Sequence, residues 1–264
     1  MKKILALCLL VLIMVPFLVA CGPSEGDFIV GFDDSFPPFG YKDGSKYTGF
    51  DIELATEVAK RLDMKLKLQP IEWSAKDMEL DTGNISCVWN GFTMHVVNDA
   101  GVSRDDLYTW TTPYMKNKQI VIVLADSAYN SLADLSGKKI ALQKGSSAEA
   151  ALDDSAAFKA SLSEIVTFSE NLTALMDLEI GQVDAVLMDE PVARYNIENT
   201  KDGSTKYKIL EEVLAEEEFG VGFKLGNTEL RDKVQKTLEE MAKDGTMAKI
   251  SEKWFGKDVT IIGK

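Results

Sequence analysis

The sequence predicts an α/β protein of two lobes with a ligand cleft between them. Strand patterns alternate with helix patterns in the first half of the chain, and the same rhythm returns in the second half. The chain has 264 residues, a length that suits two lobes of roughly 100 residues each better than one continuous sheet.

In order, residues 28–32 are a short apolar strand. Asp51 stands where it can cap a helix running to about Leu62, with Ile52, Ala55, Val58, Ala59 and Leu62 on one face. Met64, Leu66 and Leu68 alternate with Lys65, Lys67 and Gln69, as in a strand with one wet face. A short helix is expected at 75–80, a turn at Gly83-Asn84, and a strand at 85–90. In the second half, 119–124 is an apolar strand, 132–135 a turn of helix, and 139–143 another strand. Ser146 opens a helix through Leu152, and Gly181 leads to a strand at 183–188. A last strand, 220–223, precedes an amphipathic helix at 228–243 whose stripe holds Val234, Leu238 and Met241. Asp244-Gly245 stops it, and a final helix spans 247–254. Strand, helix, strand in repetition calls for a mainly parallel sheet.

The N-terminus stands apart from this body. Met1-Lys2-Lys3 is cationic, residues 4–19 are almost unbroken apolar positions interrupted by Pro16, and Leu18-Val19-Ala20-Cys21 follows. Sixteen apolar positions are short for a membrane span, which needs about 20. The flanks are those of a secretory signal, and its ending resembles a lipobox, which implies removal of residues 1–20, lipidation of Cys21 and a membrane anchor. Taking 20 residues from 264 leaves 244. Cys8 leaves with the signal and Cys21 is acylated, so Cys87 stands alone and no disulfide forms within one chain. The net charge of −13 and the lack of a basic run beyond Lys2-Lys3 argue against a nucleic-acid partner.

Ligands in open α/β sheets sit beyond the carboxyl ends of strands, and four strand ends carry unusual residues. Phe32-Asp33-Asp34-Ser35-Phe36-Pro37-Pro38-Phe39 sets two carboxylates before prolines and aromatics. Trp89-Asn90-Gly91-Phe92-Thr93 runs into a glycine that lets a ligand approach the backbone. Gln143-Lys144-Gly145-Ser146-Ser147 ends at a helix N-terminus, whose free amides bind anions; it lacks the nucleotide P-loop spacing. Met188-Asp189-Glu190-Pro191 ends a strand on a carboxylate. Each also has an ordinary structural account: a rigid turn, a tight bend, a serine cap and an aspartate cap, respectively. Together they offer amides and an arginine for a carboxylate, an aspartate for an ammonium, and aromatic walls, the complement of a zwitterionic amino acid. His95 and Cys87 cannot supply the three or four ligands of a zinc site, and a mid-strand cysteine is ordinarily inert packing. No metal, cofactor or catalytic residue is expected.

The order lipobox, "VGFDDSFPPFGY", "YTGFDIELATEVAKRL", "WNGFT", an arginine six residues before Trp110-Thr111, "PYM", "ALQKGSSAEAAL", "DAVLMDEPVA" and "GVGFK" resembles the polar amino-acid-binding lipoproteins of ABC importers, the extracellular solute-binding proteins of family 3 type. The resemblance covers nearly the whole mature chain. It implies a periplasmic-binding-protein-like fold of two lobes joined by two crossover strands. It divides the chain into a signal at 1–20, an anchored linker at 21–27, lobe one at 28–117 and 215–264, and lobe two at 118–214. The crossovers would lie at or beside 119–124 and 220–223. The implied partners are a free amino acid with an amide, cystine-like or cationic side chain, ABC permease subunits, and a membrane reached through the lipid on Cys21. The implied state is an extracytoplasmic monomer.

Carried over by residue, Arg104 clamps the ligand's carboxylate with the backbone amides of Thr93 and Ser147 on the Gly145-Ser146-Ser147 turn. Asp189, the Gly91 carbonyl and the Thr93 hydroxyl take the ammonium. Phe36 and Trp73 sandwich the side chain, Phe92 lies in the same strand end, and Asp33, Asn90 and Gln143 face the ligand's variable end. Two departures from the family pattern stand out. Ser86 replaces an aspartate, and residues 95–100 form an extra segment between Thr93 and Arg104. Two rival readings share the fold: a cyclohexadienyl-dehydratase-like enzyme using Glu190 or Lys144, and an amino-acid sensor without transport.

Overall fold

A computed structural model describes residues 26–97, 101–199 and 202–264 of the chain. The signal segment and Cys21 lie outside the described residues, as do Asn98, Asp99 and Ala100 of the extra segment.

Lobe one begins with β1 (Asp27–Phe32) and a small antiparallel sheet of β2 (Ser35–Phe36), β3 (Gly40–Asp43) and β4 (Lys46–Thr48). It continues through α1 (Phe50–Arg61), β5 (Lys65–Pro70), a 3-10 turn (Trp73–Ala75) into α2 (Lys76–Asp81), β6 (Cys87–Thr93), α3 (Arg104–Leu107) and β7 (Tyr108–Trp110). The chain crosses on β8 (Met115–Leu124). In lobe two, a 3-10 turn (Leu132–Leu135) leads to β9 (Lys139–Gln143), α4 (Ser147–Asp154), α5 (Ala156–Ser161), β10 (Glu164–Phe168), α6 (Asn171–Glu179), β11 (Ala185–Asp189), α7 (Glu190–Asn199) and α8 (Gly203–Lys206). The return is β12 (Tyr207–Lys224), after which α9 (Thr228–Lys243) and α10 (Thr246–Phe255) pack on α1.

The main sheet has the order β10-β9-β11-β8-β12-β6-β1-β5, with β7 also paired to β12. Each end is parallel: β5 and β6 flank β1, and β10 and β11 flank β9. The centre is antiparallel, because β8 and β12 run past one another from Tyr207 opposite Leu124 to Phe219 opposite Met115. The expected parallel sheet therefore holds within each lobe, and the two crossover strands join the lobes into one continuous ladder. One apolar cluster, including Val30, Cys87, Ile122 and Val186, passes through both lobes by way of these strands. A second, with Leu135, Leu142 and Leu187, fills the other face of lobe two. A third, with Ile29, Trp73, Phe92 and Trp110, fills that of lobe one.

Local sequence explains the elements that position the site. In α1, Ile52, Ala55, Val58 and Ala59 are buried on one face, and full burial of each larger aliphatic side chain contributes about 1.5–3 kcal/mol. The helix is entered from Gly49 at φ 137, where a Cβ would lie 2.1 Å from the Phe39 carbonyl oxygen; only glycine fits that close approach. Asp51 does not cap the helix. It lies inside the first turn, fully buried, and its Oδ2 accepts from the Gly91 N–H at 2.6 Å and the Tyr114 hydroxyl at 2.9 Å. Burial pushes its carboxyl up to about 7 against those two donors. The α1 carboxylate thus pins the turn at Gly91, which sits at φ 54 beneath the Phe36 ring. Ser86, the first departure, accepts from the Ile29 N–H at 3.0 Å and so ties the start of β6 to β1.

Candidate functional site

The four strand ends converge on one cavity between the lobes. Asp33 and Phe36 follow β1, Trp73 opens the 3-10 turn, Asn90, Gly91 and Thr93 end β6, and Arg104 opens α3; Gln143 ends β9, Ser146 and Ser147 open α4, and Asp189 ends β11. All eleven line the same space. Phe92 and Gly145 do not. The Phe92 side chain is fully buried and lies under the Arg104 guanidinium, whose carbon is 4.8 Å from the ring centroid. The turn at Gly91, φ 54, breaks the alternation of the strand, so that Asn90 and Thr93 both face the cavity while Phe92 packs on Trp73 and Trp110. Gly145 contributes its carbonyl to the lobe contact described below.

Arg104 reaches the cavity despite the extra segment. Val97 pairs with Ser103 in an isolated bridge, and the Arg104 N–H donates to the Val96 carbonyl at 2.8 Å. These two contacts bring the chain back beside Val96 and Val97, so that α3 starts near the end of β6. Ser103 caps α3 by accepting from the Asp105 N–H at 3.1 Å. The guanidinium donates Nη1 to the Thr93 carbonyl at 2.8 Å and Nη2 to the Gly145 carbonyl of lobe two at 3.4 Å. It is 9 % exposed, and burial pushes it down to about 10 against the pull of Glu217 and other carboxylates. His95 is absent from the cavity lining, with Nδ1 2.9 Å from Asp105 and its side chain 58 % exposed. Cys87 is buried mid-strand in the core, where burial pushes its thiol up. The two share no site, and no metal-binding group of His, Cys, Asp and Glu occurs among the described residues.

At the opposite end, Asp189 Oδ1 accepts from Asn117 Nδ2 at 2.6 Å and Gln119 Nε2 at 2.8 Å, both on β8. The same two amides donate to Glu217 Oε2 on β12, at 2.7 and 3.1 Å, and the Thr93 hydroxyl reaches that oxygen at 3.0 Å. Burial, then the charge of Glu217, push Asp189 up to about 8. Asn117, Gln119 and Glu217 were not expected here. The inward phase of Lys116-Asn117-Lys118-Gln119, where amides alternate with exposed lysines on a crossover strand, signals the first two. Glu217 sits in a run of three glutamates with nothing to distinguish it.

The far end is polar as well. Asn90 Oδ1 accepts from the Asp33 N–H at 2.7 Å, and Gln143 Nε2 donates across the cleft to Asp33 Oδ2 at 2.6 Å. Burial raises Asp33 to about 6, opposed by the Ser35 N–H and the Gln143 amide. Asn90 Nδ2 is buried without a hydrogen-bond partner among the described residues, an unmet donor on a residue that lines the cavity. The Thr93 and Ser147 hydroxyls meet across the lobes at 3.0 Å. Glu190 pairs with Arg194 and Lys144 is exposed; neither lines the cavity.

Over residues 28–257 the chain matches the family described as bacterial extracellular solute-binding proteins, family 3. It is 32 % identical over 240 residues to the L-cystine-binding protein TcyJ of Escherichia coli, covering 90 % of this chain and 85 % of that one. A substrate-binding protein of an ABC uptake transporter from Streptococcus pneumoniae, solved with bound histidine, superposes with a TM-score of 0.83 at 32 % identity over 90 % of this chain and 95 % of that one. An ancestral amino-acid-binding protein, a precursor of cyclohexadienyl dehydratase, superposes with a TM-score of 0.76 at 32 % identity over 88 % and 96 %. With the cleft, the crossover pair and this likeness in agreement, the chain belongs to the bacterial extracellular solute-binding proteins of family 3.

Proposed function

We propose that the chain captures a free polar α-amino acid by closing its lobes on it and delivers it to the permease of an ABC importer. One observation carries the reading. Arg104 on lobe one and Asp189 on lobe two are both buried in the lining of one cavity, and neither forms a salt bridge with a described residue. A buried cation is costly unless paired, and a buried carboxylate escapes that cost by holding a proton; one zwitterion pairs the guanidinium and lets Asp189 ionise. Its carboxylate lies on the Arg104 fork with the amides of Thr93 and Ser147. Its ammonium lies between Asp189, the Gly91 carbonyl and the Thr93 hydroxyl, and its side chain between Phe36 and Trp73. Asp33 favours a far end that carries hydrogen-bond donors, such as a cation, and the Asn90 and Gln143 amides favour one that also accepts, such as an amide or the second amino-acid head of cystine.

A thermal-shift screen of the amino acids and L-cystine tests this. Ligands with such far ends are expected to raise the unfolding midpoint by several degrees at about a hundred times their Kd. No shift with any of them sinks the reading, and turnover of prephenate or arogenate replaces it with an elimination on the same fold. Against such turnover, Glu190 and Lys144 stand outside the cavity. A sensor without transport would show the same shifts and lack neighbouring permease and ATPase genes.

The lipid anchor is part of the proposal. Cys21→Ala is expected to move the protein from the membrane pellet to the soluble fraction of fractionated cells; an unchanged pellet would exclude Cys21 as the attachment point.

A further inference from the structure

We infer that Lys76 is a second cation of the carboxylate site, placed beside Arg104 by a hydrogen bond to the same Gly145 carbonyl. The inference rests on the binding reading above and adds a residue to it. Lys76 opens α2, three residues after Trp73, so the two side chains share a face. Its ammonium stands 5.4 Å from the Trp73 ring centroid and donates to the Gly145 carbonyl at 3.1 Å, while Arg104 Nη2 reaches that oxygen at 3.4 Å. Lys76 is 5 % exposed.

The pairing of these cations is the unusual feature. Neither forms a salt bridge with a described residue. The ionisable groups facing Lys76 are Arg104 from α3, Asp77 on its own helix and Glu149 from α4, and both carboxylates have other donors. Asp77 accepts from the Tyr108 hydroxyl, and Glu149 from the Gly145 N–H at 2.9 Å. Two like charges therefore converge on one neutral oxygen beside the ligand cavity: Arg104 lines that cavity, and Lys76 lines with it an adjoining pocket of about 360 Å³. An ammonium has three donors, and one of them is satisfied by Gly145. An anion beside the Arg104 fork offsets both charges at once. Burial, then the charge of Arg104, push Lys76 down to about 8, so an anion at this place also draws a proton back onto it.

The test compares acid and amide probes by calorimetry in the full chain: L-arginine with L-argininamide, and L-histidine with L-histidinamide. Lys76→Met keeps the stem over Trp73 and removes the charge. It is expected to weaken the acids about tenfold and the amides less than about twofold, the loss of one charge-assisted contact. In the unaltered protein, affinity for the acids declines as pH rises through about 8, and in the variant this decline is absent until the ligand's own ammonium titrates. An equal loss for acid and amide would mean that Lys76 only clasps the lobes, and no loss would mean that it does not reach the site; either overturns the inference. A protein that prefers acids with the same ratio in both forms retains the binding reading and loses this one. A protein that binds neither acids nor amides loses both.

Discussion

Arg104→Ala is expected to lower affinity for the amino-acid ligand by at least about a hundredfold, whereas His95→Ala changes it by less than about twofold. The guanidinium makes two hydrogen bonds that hold it at the cavity wall, to the Thr93 and Gly145 carbonyls. Its remaining donors face a carboxylate that, once the arginine is gone, loses the bidentate fork and keeps only the backbone amides and the neighbouring Lys76 ammonium. Truncating one partner of a buried charged pair costs about 2–5 kcal/mol. His95 stands nine residues before Arg104 and outside the cavity lining, and its bond to Asp105 is exposed. Titration calorimetry on both variants decides. A larger loss in the histidine variant would mean that the loop, not the guanidinium, closes the site. Without ligand, Arg104→Ala is expected to leave the urea midpoint unchanged or raise it, because an unpaired buried cation costs stability; this separates lost recognition from lost folding.

The lobes and the cleft were legible because their signals are local. The strand Lys139–Gln143 and the helix Thr228–Lys243 fall where the pattern put them, and the apolar stripe of the helix is buried at Val234, Leu238 and Met241. The return crossover was not legible beyond residues 220–223. β12 begins at Tyr207, but its segment through Glu218 is half exposed and rich in glutamate, so neither face carries a continuous apolar set. The small sheet from Ser35 to Thr48 was hidden for the opposite reason: three short strands, joined by turns, are held by tertiary contacts and carry no period of their own. Of the thirteen positions offered as ligand-facing, Phe92 and Gly145 are not in the lining: the turn at Gly91 sends the Phe92 ring into the core of lobe one, and Gly145 turns its carbonyl to Lys76 and Arg104. Asp51 shows a different limit. An aspartate at a helix start reads as a cap, and only the fold reveals that its partner is the Gly91 N–H forty residues on.

Asp189→Asn is expected to cost about thirtyfold or more in affinity and to remove the acid side of its pH dependence. The carboxylate stands in the cavity lining on lobe two, where it meets the ligand's ammonium, and a hydrogen bond between charged partners contributes about 1.5–3 kcal/mol. Glu217 stands behind it, sharing the amides of Asn117 and Gln119, so the substitution leaves some negative charge and the loss is not total. Without ligand, burial and Glu217 keep Asp189 protonated below about 8. The ammonium favours the ionised form, so binding must expel that proton, and affinity falls as pH drops below about 8, by up to about tenfold per unit. Stability of the unliganded protein has the opposite slope. A folded-state value raised above the ordinary 3.8 means that the native chain binds more protons than the unfolded chain, so stability decreases as pH rises from about 4 to about 8. In Asp189→Asn the part of that slope above pH 7 should vanish, while Asp33 and Asp51, raised to about 6 and about 7, keep the part below it. Urea unfolding and calorimetry across pH 5 to 9 measure both slopes, and a variant that retains the full acid-side loss of affinity would show that the proton is held elsewhere. If Lys76 sets the alkaline limb, the two limbs meet, and affinity is greatest around pH 8, where the anion site and the cation site are each charged in the presence of ligand.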